Sequence, residues 1–557
     1  IRGGRKEIER ACAAYGFHPL SLRLLAGLIV KDKRQPLDIA AAGRYERAVS
    51  EDVKQRQHHV LEQSYAGLAP ASQALLGRIA CFRSSVTYDT LAAITKDDPL
   101  AARLDETLDD LAARGLVHQT LDSPRLSGEG AGVRWTFDLH PIVRRYAYDR
   151  LTAPERTDVH VILIAYFDVV PTPEKVEKLE DLAPVIELYH HTVRAGKLDE
   201  AKELYEDLLA DPVYFQFGAY QLEIELLRAL FLDGEDKPPR LKDESDQAYT
   251  LNALSASYAM SGQPRRAVPL IEMQNALQEK RDSKNNLAIG LGNMATQQLV
   301  IGALSAAERN LRRRIDLCRE IEDGHSEAVG HQTLGSVLIY RGVWQDAKQE
   351  LNKGLELFTK VHATKDWISK HWAYHSQLAN LTGKTGDALQ FAQEALKFSI
   401  QDETENGDLP RDFIRDYWLL GAAYRVNNEL DKAEENLTKA LNLCRQINAV
   451  ADEADILLDF ARLRYAQGDF KDAEEKAAEA LSITERSGFV LQGADVNLLL
   501  ATLALEGYRL EGLKVGSDKE AAIFHAKEAL KLATCDGGEY KYKVAYDEAE
   551  RMLEKLK

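Results

Sequence analysis

The sequence predicts a mostly α-helical chain. Helix pairs stack into an α-solenoid over the C-terminal two-thirds, behind an N-terminal third of helices and two strands. Three observations carry this. A glycine followed five positions later by an alanine recurs along the chain. The alanines keep a nearly constant period. Residues 5–151 lack that period and hold two short stretches of strand character.

The recurring pair appears as Gly196/Ala201, Gly262/Ala267, Gly302/Ala307, Gly342/Ala347, Gly383/Ala388 and Gly468/Ala473, with Asn428/Ala433 as a variant. From Ala267 the alanines step by 40, 40, 41, 45 and 40 residues, and Ala522 follows after 49. Glycine ends a helix by taking positive φ, and asparagine is the next-best residue for that conformation. Alanine fits where two helices cross closely. Apolar residues at helical spacing flank each pair, such as Leu419, Leu420, Ala423 and Tyr424 before and Leu437, Ala440 and Leu441 after. Each unit is therefore helix, turn, helix, and must stack on its neighbours to cover its apolar face. Residues 202–266 are too long for one unit and contain Pro238-Pro239, so a degenerate repeat and a loop are expected there. Residues 507–517 read as an insertion in the last hairpin.

The pattern resembles the tetratricopeptide repeat, whose usual unit is ~34 residues. Trp372 and Tyr417 stand at its first-helix aromatic, Gly335 and Gly421 at its small site, Tyr258 and Tyr424 at the next aromatic, and Ala395, Ala440, Ala480 and Ala529 at the second-helix alanine. The resemblance covers roughly residues 180–557, about eight repeats, and implies a right-handed superhelix with first helices lining its concave side. The family's fixed offsets from the turn glycine then select Asn252, Lys370, Gln377, Asn380, Arg415, Trp418, Arg425, Arg462 and Tyr465 as ligand-facing. Arginine, amide and aromatic groups grip peptides and acidic groups by bidentate hydrogen bonds and stacking.

In the N-terminal third, residues 5–30 read as two helices broken at Gly16-Phe17-His18-Pro19. Pro19 suits a first helical turn. Residues 71–82, 88–95 and 104–113 read as helices, 116–120 and 133–137 as strands joined by a polar hairpin at 123–132, and 141–151 as a helix. Three helices and a two-stranded wing make a winged helix. Its third helix would be the DNA reader, but it carries Asp105, Glu106, Asp109 and Asp110 against Arg103 and Arg114, the wrong sign for phosphate.

This order, a Gly-x-Pro helical unit (1–57), a winged helix (58–155) and repeats (156–557), resembles the STAND class of signalling NTPases, which includes NB-ARC and NOD-like proteins. Gly16-Phe17-His18-Pro19-Leu20 resembles the motif whose proline packs on adenine, and Leu139-His140-Pro141-Ile142 the motif whose histidine touches the β-phosphate. The resemblance implies that Pro19 and His140 contact ADP in a full-length parent. Pro141 departs from the aspartate common in the family. Implied with it are a protein or peptide ligand on the solenoid, contact with the parent's own NTPase core, oligomerisation on activation, and a role in defence or transcriptional control. A scaffold without a nucleotide cycle, or the sensor of a transcriptional activator, are the alternatives.

Composition bounds these readings. The 557 residues are 45% hydrophobic and 29% charged, with net charge −17. Residues 1–160 hold 23 basic and 21 acidic residues, the remainder 48 and 67, so the solenoid repels nucleic acid. No apolar run is long enough to cross a membrane. Cys12, Cys81, Cys318, Cys444 and Cys535 are scattered singly, without metal-ligand spacing, as expected of buried thiols in the cytoplasm. The first residue is Ile1 and the start lacks a signal peptide's apolar core, so a fragment of a longer protein is expected.

No enzymatic site is expected in this chain. Gly383-Lys384-Thr385 lacks the earlier glycine of a phosphate loop and sits in a repeat turn. The pairs His58-His59 and His190-His191 are sequence neighbours that point apart on a helix. The acid pairs Glu434-Glu435 and Glu474-Glu475 read as solvated helix faces. The basic run Arg312-Arg313-Arg314 with Arg319 is expected to be balanced by Glu308 and Glu320.

Overall fold

The computed structural model describes residues 1–46, 53–122, 134–171, 175–406, 410–510 and 517–557. The expected hairpin at 123–132 lies outside these residues, as does most of the expected insertion at 507–517. Contacts divide the chain into two compact units, Ile1–Leu209 and Ala210–Lys557. Among the described residues no helix is long and apolar enough to cross a membrane.

In the first unit, α1 (Arg5–Ala14) and α2 (Pro19–Val30) are followed by α3 (Ala42–Glu46), α4 (Val53–Ala66) and α5 (Pro70–Ala80). Strand β1 (Val86–Thr87) precedes α6 (Tyr88–Thr95) and α7 (Leu104–Ala113). Strands β2 (His118–Asp122) and β3 (Arg134–Asp138) come next, then α8 (Pro141–Arg150), α9 (Ala153–Phe167), α10 (Ala183–Arg194) and α11 (Leu198–Leu204). From α5 to β3 the elements run helix, strand, helix, helix, strand, strand. The sheet corrects the expected two-stranded wing: it has three antiparallel strands in the order β1-β3-β2, with Val86 and Gln119 both opposite Phe137. Two residues of β1 are too few to show an alternating pattern. Leu75, Leu76, Ile79, Leu91, Leu111, Phe137 and Val143 fill the core beneath it.

Both arginines flanking α7 are held by acids. Arg103 pairs with Glu106 at 3.1 Å, and Arg114 with Asp110 at 2.9 Å, while Lys31 reaches Asp110 at 2.7 Å. The helices α9 and α10 bury two imidazoles, His160 and His191, and half-bury a third, His190. His160 Nδ1 lies 3.1 Å from His191 Nδ1, and Tyr148 Oη lies 3.1 Å from His160 Nε2. The rings of His190 and His191 are 5.3 Å apart, so these sequence neighbours meet instead of diverging, because His160 of the facing helix gathers both. Burial lowers His160 to about 4, His190 to about 3 and His191 to about 2, leaving neutral rings.

The second unit is the α-solenoid. Repeat 1 is Glu244–Met260 with Pro264–Lys280, repeat 2 is Lys284–Val300 with Leu304–Glu320, and repeat 3 is Gly324–Arg341 with Trp344–Lys360. Repeat 4 is Lys365–Leu381 with Thr385–Asn406, and repeat 5 is Pro410–Val426 with Leu430–Gln446. Repeat 6 is Val450–Gln467 with Phe470–Ser487, repeat 7 is Val490–Leu505 with Asp518–Ala533, and a closing helix spans Lys543–Lys555. The recurring residues behave as their chemistry requires. Gly262, Gly302, Gly342, Gly383 and Gly468 have φ of 73–81° and Asn428 has 63°. The paired alanines from Ala267 to Ala522 are wholly buried between helices. Wide π-helical turns at Asp211–Gln216 and the helix Tyr220–Arg228 occupy the stretch expected to be degenerate, and Pro238-Pro239 lies in a loop.

The superhelix closes on itself every five repeats. The hairpin tip of repeat 1 at Gly262 packs on Val450 and Ser487 of repeat 6. Gly302 of repeat 2 packs on Val490 of repeat 7, and Gly342 of repeat 3 on Lys543 of the closing helix. Ser305 N donates to Asp536 at 2.8 Å across the same seam, and Arg341 lies over the Tyr540 ring at 4.1 Å. These contacts bring first helices from repeats 3 to 7 and the closing helix around one interior.

The basic run is only partly neutralised, since Arg314 is buried with its Nε unpartnered. Arg312 bonds Glu308 at 2.7 Å, Arg313 bonds Glu279 at 2.5 Å and Arg319 bonds Glu327 at 2.6 Å. Glu320 instead pairs with Lys284 at 3.0 Å, because the second helix of repeat 2 sets it beside the start of its own first helix. Glu434 likewise bonds Arg464 at 2.7 Å instead of facing water alone. All five cysteines are free thiols; Cys12 and Cys535 are half-buried, the others buried.

Candidate functional site

A cavity of about 250 Å³ opens inside the solenoid. Tyr340 of repeat 3, Gln377 and Asn380 of repeat 4, and Trp418 and Arg425 of repeat 5 line one side. Asp455, Asp459 and Arg462 of repeat 6, Asp495 of repeat 7, and Tyr542 and Glu548 at the closing helix line the other. All these side chains come from first helices or the closing helix, because second helices pack outside.

Asp459 is the hub. Its Oδ2 accepts the Trp418 indole N–H at 2.7 Å, and its Oδ1 accepts from Arg425 at 3.3 Å and Arg462 at 3.4 Å. Arg462 also lies 3.9 Å from Asp495. Tyr542 donates its hydroxyl to Asp495 Oδ2 at 3.0 Å, and Gln492 donates to Asp455 Oδ2 at 3.2 Å. Gln377 donates to the Tyr340 hydroxyl at 2.9 Å, and the Tyr340 ring meets Tyr542 edge-on at 5.1 Å. Asn380 Oδ1 and Arg425 Nε are buried without a partner in the protein.

The carboxylates are unequally placed. Burial pushes Asp455 well above the ordinary carboxylate range, and the charges of Asp452, Asp459 and Asp495 push it the same way. Burial, with Glu548 and Asp459, raises Asp495 to about 6 against the pull of Arg462 and Tyr542. Burial lowers Arg425, whereas for Arg462 the neighbouring Asp459 and Asp495 outweigh burial and raise it.

Of the nine ligand-facing residues predicted, five line this cavity: Gln377, Asn380, Trp418, Arg425 and Arg462. Four do not. Arg415 is held by Asp412 and Asp416, each at 3.0 Å, and by Ser369 at 3.2 Å. Lys370 lies over the Trp367 ring at 5.3 Å. Asn252 accepts from Asn293 at 3.4 Å, and Tyr465 packs on Phe470 at 5.3 Å. Sequence reasoning missed the acids. Asp455 and Asp495 stand 40 residues apart, one repeat period, which was a readable signal.

Residues 415–486 match the tetratricopeptide repeat family model. The matched residues include Trp418, Arg425, Asp455, Asp459 and Arg462. No curated protein matches the chain. Among solved structures, the chain is similar at 16% identity and TM-score 0.35 to a signal transduction ATPase with numerous domains (STAND) that has a tetratricopeptide repeat sensor, from Pyrococcus horikoshii; the match covers 92% of this chain and 72% of that one. It is similar at 14% identity and TM-score 0.43 to a Rap protein complexed with competence and sporulation factor, covering 68% of this chain and 92% of that one.

Pro19 and His140 lie in the first unit, both exposed. Pro19 is the first residue of α2, and His140 caps α8, its Nδ1 accepting from Ile142 N at 3.3 Å. Pro141 follows as the first residue of α8, a place suited to proline. Gly383 takes the left-handed conformation and Thr385 begins the next helix, so Gly383-Lys384-Thr385 is a repeat turn.

Proposed function

We propose that the solenoid is a recognition module that takes a protein or peptide segment into its interior, and that it serves as the sensing arm of a STAND-type signalling ATPase. The cavity carries the first part. It gathers Trp418, two tyrosines, two arginines and four carboxylates from consecutive repeats, with polar atoms left unpaired by the protein itself. Buried polar groups without partners are costly, and a ligand that supplies them gains specificity.

The second part rests on the order of the Gly-x-Pro unit, the winged helix and the repeats, and on two exposed residues at helix starts, Pro19 and His140. Their exposure fits a peripheral contact to ADP; a phosphate cradle would come from a core outside this sequence. Ligand binding would bias a two-state switch through differential contacts. In this reading the chain itself catalyses nothing, works in the cytoplasm, and its parent oligomerises when activated, in defence or in transcriptional control.

The nucleotide content of the purified full-length parent tests the switch. Denaturing extraction should release ADP, and His140→Ala should reduce it about tenfold. A parent free of nucleotide would remove the switch and leave the recognition module standing.

A further inference from the structure

Asp455, Asp495 and Glu548 hold one register. Each is the sixth residue of its helix, counted from Val450, Val490 and Lys543. The same three helix starts line the turn-to-turn seam: Gly262 meets Val450, Gly302 meets Val490 and Gly342 meets Lys543. The three carboxylates therefore form a ladder across three consecutive inner helices, and all three line the cavity.

Among the lining residues, positive charge is too scarce to neutralise this ladder. The cavity lining holds four carboxylates and two guanidiniums. Arg425 is spent on Asp459, and Arg462 is shared between Asp459 at 3.4 Å and the more distant Asp495 at 3.9 Å. Asp455 receives a hydrogen bond from the neutral Gln492, and Asp495 from the neutral Tyr542. Half-buried carboxylates with so little countercharge, as Asp455 and Asp495 are, form an unfavourable arrangement in an apoprotein, and the exposed Glu548 adds a third rung. Trp418, Tyr340 and Tyr542 add aromatic surface of the kind that attracts cations.

We infer that the solenoid cavity recognises a cationic peptide segment, whose lysine or arginine side chains pair with the Asp455–Asp495–Glu548 ladder. This deepens the recognition reading above and rests on it. Recognition of an acidic segment through Arg425 and Arg462 is disfavoured, since both guanidiniums already face Asp459.

The test uses the whole chain and three defined probes: trilysine, triglutamate and spermidine, titrated by calorimetry at low and moderate salt. Trilysine should bind and weaken with salt, and triglutamate should not bind. The paired substitution Asp455→Asn with Asp495→Asn should weaken trilysine at least tenfold. Glu475→Gln, on an exposed second-helix face, should leave affinity unchanged and controls for attraction to the acidic exterior. Thermal melts confirm that each variant is folded. Tighter binding of spermidine than of trilysine would overturn the peptide assignment in favour of a free polyamine. Triglutamate binding that is lost with Arg425→Ala would overturn the cationic assignment and leave the cavity as a recognition site. Trilysine affinity unmoved by the paired substitution would overturn the ladder. Failure of all three probes to bind would overturn both readings.

Discussion

Tyr542 donates its hydroxyl to Asp495 at 3.0 Å, tying the closing helix to repeat 7 at the rim of the cavity. That bond holds a carboxyl raised to about 6 by burial and by neighbouring acids. A carboxyl whose folded pKa exceeds its unfolded value binds its proton more readily in the fold. Its ionisation therefore costs stability as pH rises from about 4 through about 6. Asp495→Asn should raise the melting temperature at pH 7.5, by on the order of 1–3 kcal/mol in stability. The advantage should shrink as pH falls below about 6. Melts followed by circular dichroism at pH 7.5 and 5 check this; an advantage independent of pH would refute it.

The imidazoles between α9 and α10 work with the opposite sign. His160, His190 and His191 have folded values of about 4, 3 and 2, below the ordinary histidine range. The unfolded chain takes up protons first as pH falls below about 6.5, so the first unit loses stability there. Hydrogen exchange should show α9 and α10 opening more readily at pH 5 than at pH 7.5, after correction for intrinsic rates. Replacing His160 with Phe should reduce that dependence.

Two turn glycines separate backbone strain from crowding. Both Gly302 and Gly383 have positive φ, 78° and 74°. A β-carbon on Gly302 would stand 2.7 Å from Val490 Cγ1, whereas one on Gly383 would meet nothing within 4 Å. Gly383→Ala should cost about 1 kcal/mol, the conformational term alone. Gly302→Ala should cost roughly 2–4 kcal/mol, because the five-repeat seam must open as well. Urea unfolding of both variants gives the comparison, and equal costs would dissolve the seam as a stabilising contact.

Asp416 is wholly buried, accepting from Ser369 at 2.7 Å, Ser399 at 2.6 Å and Arg415 at 3.0 Å. Removing it leaves Arg415 with less compensation. Asp416→Ala should destabilise the second unit by about 3–5 kcal/mol. The double variant with Arg415→Leu should recover part of that loss in the same unfolding experiment.

The solenoid was legible because its signals are local. A turn glycine and a close-packed alanine act within five residues, so their period survives in the linear sequence. The five cavity residues found early follow from helix phase for the same reason. The rest depends on distance. Gly302 and Val490 meet across 188 positions, and nothing near either announces the other. The carboxylate ladder steps by 40 and then 53 residues, so the longer last hairpin hides the register of Glu548. Arg415 was placed by repeat phase, but the neighbouring Asp412 and Asp416 draw it into a network of its own. In the first unit β1 is two residues long, and His160 joins His191 from another helix.

Where a ligand settles decides the central claim. Hydrogen–deuterium exchange of the whole chain with and without trilysine measures this directly. The account predicts protection concentrated on the first helices of repeats 5 to 7, Pro410–Val426, Val450–Gln467 and Val490–Leu505. Protection confined to the second helices, or no protection at all, would contradict it.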